Sequence, residues 1–408
     1  MLRTNYALRR PFSTLVGRSP AKQKKQVLCR SYAFRPPTAC GIAEYTSALA
    51  HHITVRAPSL GTTLVRLSLD PEETLPPAKY LAVNPSDPTA FDAAAAQINR
   101  LDHCVVLLQH EFKLYGGADG ENLSRFLKAL KVPVLATLHT VSPSLKPTRR
   151  LLLAELIRSS KFIIVLSKAA AELLATQYQV EPEKVKVFPH GVPDVPFCFP
   201  EETSYPGLQN GHIRFITAGL IRPAKGIEHA LAALRALRQV CPDFSYVICG
   251  ADHPRSPAAA DYRKHLLNLI ASYGLANNVT MIDRYVEAAE MHCIIQACHA
   301  SILPYAAPGQ SSSGVLALSL ACGRPVIASD FQYSRAVLNQ ATGIVVPTAD
   351  AQAFASALAE IATQPERLRR MMKESYRQTR DWVWSKVVGQ HLDIAAEADA
   401  SPGPVPAH

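Results

Sequence analysis

The 408-residue chain predicts an α/β protein of two doubly wound, Rossmann-like domains facing across a cleft, and three observations carry that prediction. Short apolar runs alternate with helix-period segments along most of the length, the pattern of parallel sheets covered on both faces. The alternation occurs twice, once on each side of a proline-rich stretch. With 48% hydrophobic and only 19% charged residues, a chain this long has apolar material for two cores.

In the first half, strands are expected at Val27 to Phe34, Thr63 to Leu69, Cys104 to Gln109, Val132 to Leu138, Phe162 to Leu166 and Val185 to Pro189. Helical stretches such as Ile42 to His51, Phe91 to Asn99, Glu121 to Leu130 and Ala169 to Gln177 lie between most of them. Val192 to Gly211 then breaks the pattern with Pro193, Pro196, Pro200, Pro206 and Gly207. Proline fixes φ and removes a backbone donor, so this segment predicts a linker. The second half resumes with strands at Ile213 to Ala218, Phe244 to Cys249, Val279 to Ile282, Ala300 to Leu303, Pro325 to Ser329 and Ile344 to Val346. Helices follow at Ala351 to Ala362, Pro365 to Arg380 and Trp382 to Ala398, with no later strand for the last one to cover.

The predicted division is a basic extension (1–25), a first domain (26–192), a linker (193–211), a second domain (212–380), a final helix (381–398) and a tail (399–408). In such sheets ligands bind beyond the carboxyl ends of the strands, which places a site between the domains.

The formal net charge of +10 is concentrated at one end. Nine Lys or Arg and no acid precede Glu44, and removing those nine from 43 leaves 34 basic against 33 acidic residues. The body is therefore nearly neutral, which argues against a nucleic-acid partner. The acid-free, Arg- and Ser-containing start shares its composition with organelle transit peptides, though a bland extension fits equally. Nine cysteines without a C-x-x-C pair point to a reducing, cytoplasmic setting. No apolar run approaches the roughly 18 residues of a membrane span, leaving a soluble or membrane-peripheral protein.

Four loops at strand ends hold most of the unusual polar residues, and a fifth segment adds the rest. Pro36 to Tyr45 follows the first strand, and its Gly41 permits close backbone approach to a phosphate or sugar. Gln109, His110 and Glu111 end an apolar strand, where substrate hydroxyls or an internal hydrogen-bond network would satisfy them. His139 closes the strand from Val132 and is a substrate-contacting candidate. In the second half, Gly219, Arg222 and Lys225 open a helix, and both cations can reach a diphosphate. Near the end, Gln310, Ser312, Ser313 and Gly314 form a polar turn that opens a short apolar helix, whose free N–H groups could hold an anion.

Several chemistries have no signature. Asp-x-Asp, H-E-x-x-H and metal-spaced Cys/His clusters are absent, as are G-x-G-x-x-G, the P-loop and G-x-S-x-G. No metal and no cofactor is expected.

In order along the chain, PPTACGIAEYT (Pro36 to Thr46), QHEF (Gln109 to Phe112), LHT (Leu138 to Thr140), HGVPDVPF (His190 to Phe197) and KGIE (Lys225 to Glu228) resemble glycosyltransferase family 4. The resemblance implies the two-domain GT-B fold and transfer of a hexose from a UDP- or GDP-linked donor to a saccharide or lipid-linked acceptor, with retention and without a metal. It implies that Gly41, Gly219, Arg222, Gln310, Ser312, Ser313 and Gly314 bind the nucleotide sugar, and that Lys225 neutralises the leaving phosphate. His139 would contact the transferred sugar, Gln109, His110 and Glu111 the acceptor, with Glu111 also an acid-base candidate. The final helix would cross back onto the first domain. Three positions depart from the family pattern: Gln310 and Leu318 stand where many members have glutamates, and Leu220 where an arginine is usual. A sugar phosphorylase, an epimerase or a non-catalytic partner protein are the competing readings.

Overall fold

The computed structural model describes residues 25–30, 41–67, 80–206, 208, 213–254 and 256–400. In the first half the apolar runs form β1 (Lys25–Arg30), β2 (Gly61–Leu67), β3 (Tyr80–Val83), β4 (Cys104–His110), β5 (Val134–Leu138), β6 (Phe162–Val165) and β7 (Val185–Val187). Every residue of β4, β5 and β6 is buried, which is why their sequences are apolar and not alternating except for Gln109, His110 and Thr137 near the strand ends. Between the strands run α1 (Gly41–Arg56), α2 (Pro88–Ile98), α3 (Asn122–Ala129), α4 (Pro147–Ser159) and α5 (Lys168–Tyr178). Local chemistry starts them: the Asp87 carboxylate accepts the Thr89 N–H ahead of α2, and the Ser167 hydroxyl accepts the Ala170 N–H ahead of α5.

The second half contains β8 (Ile213–Ala218), β9 (Phe244–Cys249), β10 (Val279–Ile282), β11 (Ala300–Leu303), β12 (Val326–Ser329) and β13 (Gly343–Val346). Around them lie α6 (Ile227–Leu237), α7 (Ala259–Ser272), α8 (Ala288–Gln296), α9 (Gly314–Ala321), α10 (Gln332–Val337), α11 (Ala351–Thr363) and α12 (Pro365–Gln378). A last helix, α13 (Trp384–Ala400), ends the described chain.

The first sheet has strand order β3-β2-β1-β4-β5-β6-β7 and the second β10-β9-β8-β11-β12-β13. All strand pairs within them are parallel. Both sheets reverse direction of winding next to their first strand, and this switch point opens the crevice in which doubly wound sheets bind ligands. The crevices lie beyond the ends of β1 and β4 in one domain and of β8 and β11 in the other. The predicted two-domain α/β fold is the observed one.

Several details differ from the sequence expectation. β3 was not foreseen, and β2 begins earlier, at Gly61. β7 stops at Val187 because Pro189 has no N–H to extend the ladder beyond the Phe188 N–H, which still donates to the Val165 carbonyl. α13 begins at Trp384 because Val383 forms a parallel bridge with Val192. The segment read as a linker is docked: Phe197 and Phe199 pack on the second domain's core, and fully buried Arg324 donates to the Cys198 carbonyl at 2.9 Å. Residues 1–24, Pro36 to Cys40 and the tail from Ser401 lie outside the described residues.

One apolar cluster crosses the domain boundary. It joins Tyr45, Leu49, Leu107 and Leu135 of the first domain to Leu303, Tyr305, Leu316 and Phe331 of the second, with Trp384 and Val387 of α13 between them. No helix among the described residues is long and apolar enough to cross a membrane.

Candidate active site

The loop after β8 is folded tightly against the loop after β11. Gly226 adopts φ +61°, and a Cβ there would stand 2.1 Å from the Pro304 carbonyl oxygen, so only glycine fits. The Ala306 N–H donates to the Ala224 carbonyl at 3.1 Å and ties the same loops together. Between them Lys225 extends its Nζ over the Tyr305 ring, 4.2 Å from the centroid, and donates to the Tyr305 hydroxyl at 2.9 Å. Tyr305 is itself immobilised by stacking on Phe331 at 5.1 Å. Among the described residues no carboxylate forms an ion pair with Lys225.

The lysine also meets the start of α9. A Cβ built on Gly219 would lie 3.4 Å from Lys225 Nζ and 3.4 Å from Val315 Cγ2, so the cation and the first turn of α9 flank one point. Ser313 caps this helix, its hydroxyl accepting the Leu316 N–H at 3.2 Å. The Ser312 hydroxyl donates to the His139 carbonyl at 2.8 Å, and the Ser311 hydroxyl accepts the Val141 N–H at 2.8 Å. These serines therefore join the domains through their side chains, and an anion at α9 would be met by backbone N–H groups. The Gln310 amide donates to the Ser312 carbonyl at 3.1 Å and shapes the turn. An unpaired cation and a helix N-terminus converging in a cleft make an anion site.

Across the cleft stand the ends of β4 and β5. Gln109 is fully buried; its amide oxygen accepts from His139 Nε2 at 2.9 Å, and its amide nitrogen donates to Thr137 at 3.4 Å. His110 is buried against Phe112 and Tyr115, and its carbonyl accepts the His139 N–H at 3.1 Å. Both residues thus support His139 from beneath. The Glu111 carboxylate accepts the Thr140 hydroxyl at 2.6 Å and the Phe112 N–H at 2.9 Å. Burial raises its pKa, while those two donors and the Arg149 and Arg222 guanidiniums draw it down. Arg222 comes from the opposite domain, and its Nε has no partner among the described residues. Gly41 begins α1, with nothing among the described residues within 4 Å of where a Cβ would stand.

Two residues of this site had no role in the sequence reading. His190, which opens the HGVPDVPF motif but was given no role of its own, places Nε2 3.2 Å from the Cβ position of Gly314. Tyr45 lies between the imidazoles, its ring 4.9 Å from His139 and 5.1 Å from His190, both edge-on. Neither contact is a spacing in the chain, so no periodicity could have signalled it.

Burial holds the site's imidazoles neutral: it lowers His139 to about 3 and His110 and His190 to about 4. A folded-state pKa below the unfolded 6.5 gives stability that is full above pH 6.5 and is lost as pH falls through the folded values. The melting temperature is therefore expected to hold above pH 6.5 and to fall continuously towards pH 4; a melting series across that window checks it. A flat profile would show the rings to be solvated.

Among the described residues no three His, Cys, Asp or Glu side chains are grouped to hold a metal ion.

Two family descriptions divide the chain between them: "Glycosyltransferase Family 4" matches residues 38–194 and "Glycosyl transferases group 1" residues 200–378. Both halves of the chain are therefore matched by glycosyltransferase descriptions. The boundary between the two matches falls at the proline-rich crossing, so each matched region coincides with one sheet. A D-inositol 3-phosphate glycosyltransferase of Salinispora tropica is 25% identical over 297 residues, 66% of this chain and 60% of that protein. The matched stretch thus spans less than two thirds of that relative's length. In fold the chain resembles sucrose-phosphate synthase of Thermosynechococcus elongatus, with TM-score 0.72, 17% identity and coverage of 92% and 98% of the two chains. It also resembles Anabaena HepE, solved with UDP-glucose, with TM-score 0.70, 14% identity and coverage of 91% and 99%. These likenesses establish the GT-B fold.

Proposed function

We propose that this chain is a retaining, metal-independent hexosyltransferase that moves a sugar from a UDP- or GDP-linked donor to a hydroxyl of a saccharide or lipid-linked acceptor. The observation that carries the reading is the meeting of unpaired Lys225 with the start of α9, directly opposite His139 and Glu111. A diphosphate is the ligand chemistry such a pair suits, because its charge is met by one ammonium and by N–H groups that need not reorganise. The solved HepE structure with UDP-glucose is consistent with a nucleotide-sugar donor.

In this mechanism the bond between the anomeric carbon and the diphosphate oxygen breaks as the acceptor oxygen approaches from the same face. The electron pair leaves with the diphosphate, and the acceptor proton passes to the departing phosphate oxygen. Lys225 opposes the charge that develops there, with Arg222 beside it. Gly41 admits the donor backbone-close, and Gly219, Gln310, Ser312, Ser313 and Gly314 shape the diphosphate seat. Glu111 faces the acceptor side, where a raised carboxyl can exchange a proton with a hydroxyl; Gln109 and His110 hold His139 against the sugar.

The test is a panel of nucleotide sugars, first for thermal stabilisation and then for nucleotide release that depends on an added sugar acceptor. Release only with acceptor supports transfer. Release with inorganic phosphate alone would favour a phosphorylase, and no stabilisation by any nucleotide would favour a non-catalytic partner protein.

A further inference from the structure

We infer that His190 reads the transferred sugar: its Nε2 accepts a hydrogen bond from a sugar hydroxyl at the mouth of α9, an inference that rests on the proposed transfer reaction. The ring is placed for it. Nε2 and Cε1 lie 3.2 and 3.3 Å from the Cβ position of Gly314, the first residue of α9. A diphosphate held on that helix start carries its sugar on the adjoining phosphate, so a ring touching Gly314 stands within reach of the sugar.

The protonation pattern then selects hydroxyl over phosphate. Nδ1 lies 3.0 Å from the Gly191 carbonyl, which can only accept, so Nδ1 carries the hydrogen and the neutral ring presents a lone pair at Nε2. Among the described residues the groups facing the ring are Tyr45 from α1, His139 from the end of β5, the Gly191 carbonyl and Gly314 of α9; Trp384 of α13 packs on the adjacent Gly191. None of these is a carboxylate that would favour the imidazolium, and burial lowers the ring to about 4. A lone pair repels a phosphate oxygen and attracts a hydroxyl hydrogen. The position is also fixed, because Tyr45 touches His190, His139 and Trp384 at once, with ring centroids 4.9 to 5.1 Å apart. His190 is thus a specificity residue for the sugar and not part of the diphosphate seat.

The experiment is calorimetric titration of the full chain, wild type and His190→Phe, with UDP, UDP-glucose, GDP and GDP-mannose. For whichever base binds, the affinity for the nucleoside diphosphate is expected to stay within about twofold, while that for the nucleotide sugar falls about tenfold or more. His190→Ala, which removes the ring without crowding Gly314, gives the same comparison if the phenylalanine variant does not fold. Equal loss for both ligands, or no loss for either, overturns the inference while leaving the transfer reading intact. Failure of the wild type to bind any of the four ligands would instead sink the donor reading itself, and this one with it.

Discussion

Lys225→Ala is expected to lower the turnover number about 100-fold to 1000-fold while the melting temperature stays near that of the wild type. The size follows from what the ammonium does. Among the described residues nothing neutralises it: its contacts are the hydroxyl and the face of Tyr305, both uncharged. A cation held this way is worth most when negative charge develops on the departing phosphate, and less while the donor is intact. The loss should therefore appear mainly in the turnover number, with a smaller change in donor affinity. Stability should survive because the side chain is half-exposed and contributes no ion pair to the core. Lys225→Arg is not expected to rescue fully, since a planar fork cannot sit over Tyr305 and present a point charge at the same spot. Steady-state rates with the donor found in the panel check this, and near-normal transfer by Lys225→Ala would remove the lysine from the mechanism.

How far such a site can be read from the chain depends on which contacts are local. β8, β9, β10 and β11 fall where their apolar runs fall, since β9 and β11 are wholly buried and β8 and β10 interrupt their runs with only one or two polar residues. The polar clusters after β4 and β8 also lie at the crevices, since a polar cluster directly after such a run has left the sheet. β3 was invisible: Tyr80–Val83 is only four residues long, and its pairing with β2 is a tertiary fact. The same limit applies in the site. Gln109 and His110 read as groups needing partners, but the chain does not say that Thr137, His139 and Tyr115 would supply or surround them. Ser312 reads as part of an anion loop, yet its hydroxyl is spent on the His139 carbonyl, 173 residues away. Tyr45 and His190 meet only because both domains press on one apolar cluster, and no local pattern encodes that meeting.

That shared cluster makes Trp384→Ala the largest expected loss of stability, about 3–5 kcal/mol by the measure of buried aromatic truncations. Trp384 is almost wholly buried, and its ring lies so flat on Gly191 that a Cβ there would stand 2.4 Å away. It also stacks on His52 at 6.2 Å and meets Tyr45 edge-on at 4.9 Å, both residues of α1. Its backbone N–H donates to the Val192 carbonyl at 2.9 Å, and the Val192 N–H donates to Trp382 at 2.9 Å. The ring therefore fastens the crossing segment, α1 and α13 in a single contact, and its loss empties the place where the two domains share a core. Because the domains are coupled there, the variant should unfold in denaturant earlier and less cooperatively than the wild type, the first domain separating from the second. Trp384→Phe, which refills most of the volume, should recover the greater part. Donor affinity should also weaken in Trp384→Ala, since Tyr45, freed on one side, no longer fixes His139 and His190. An alanine variant with wild-type denaturation would mean that α13 is held by its other contacts, Val387 and Val388 foremost, and that the domains are joined without the tryptophan.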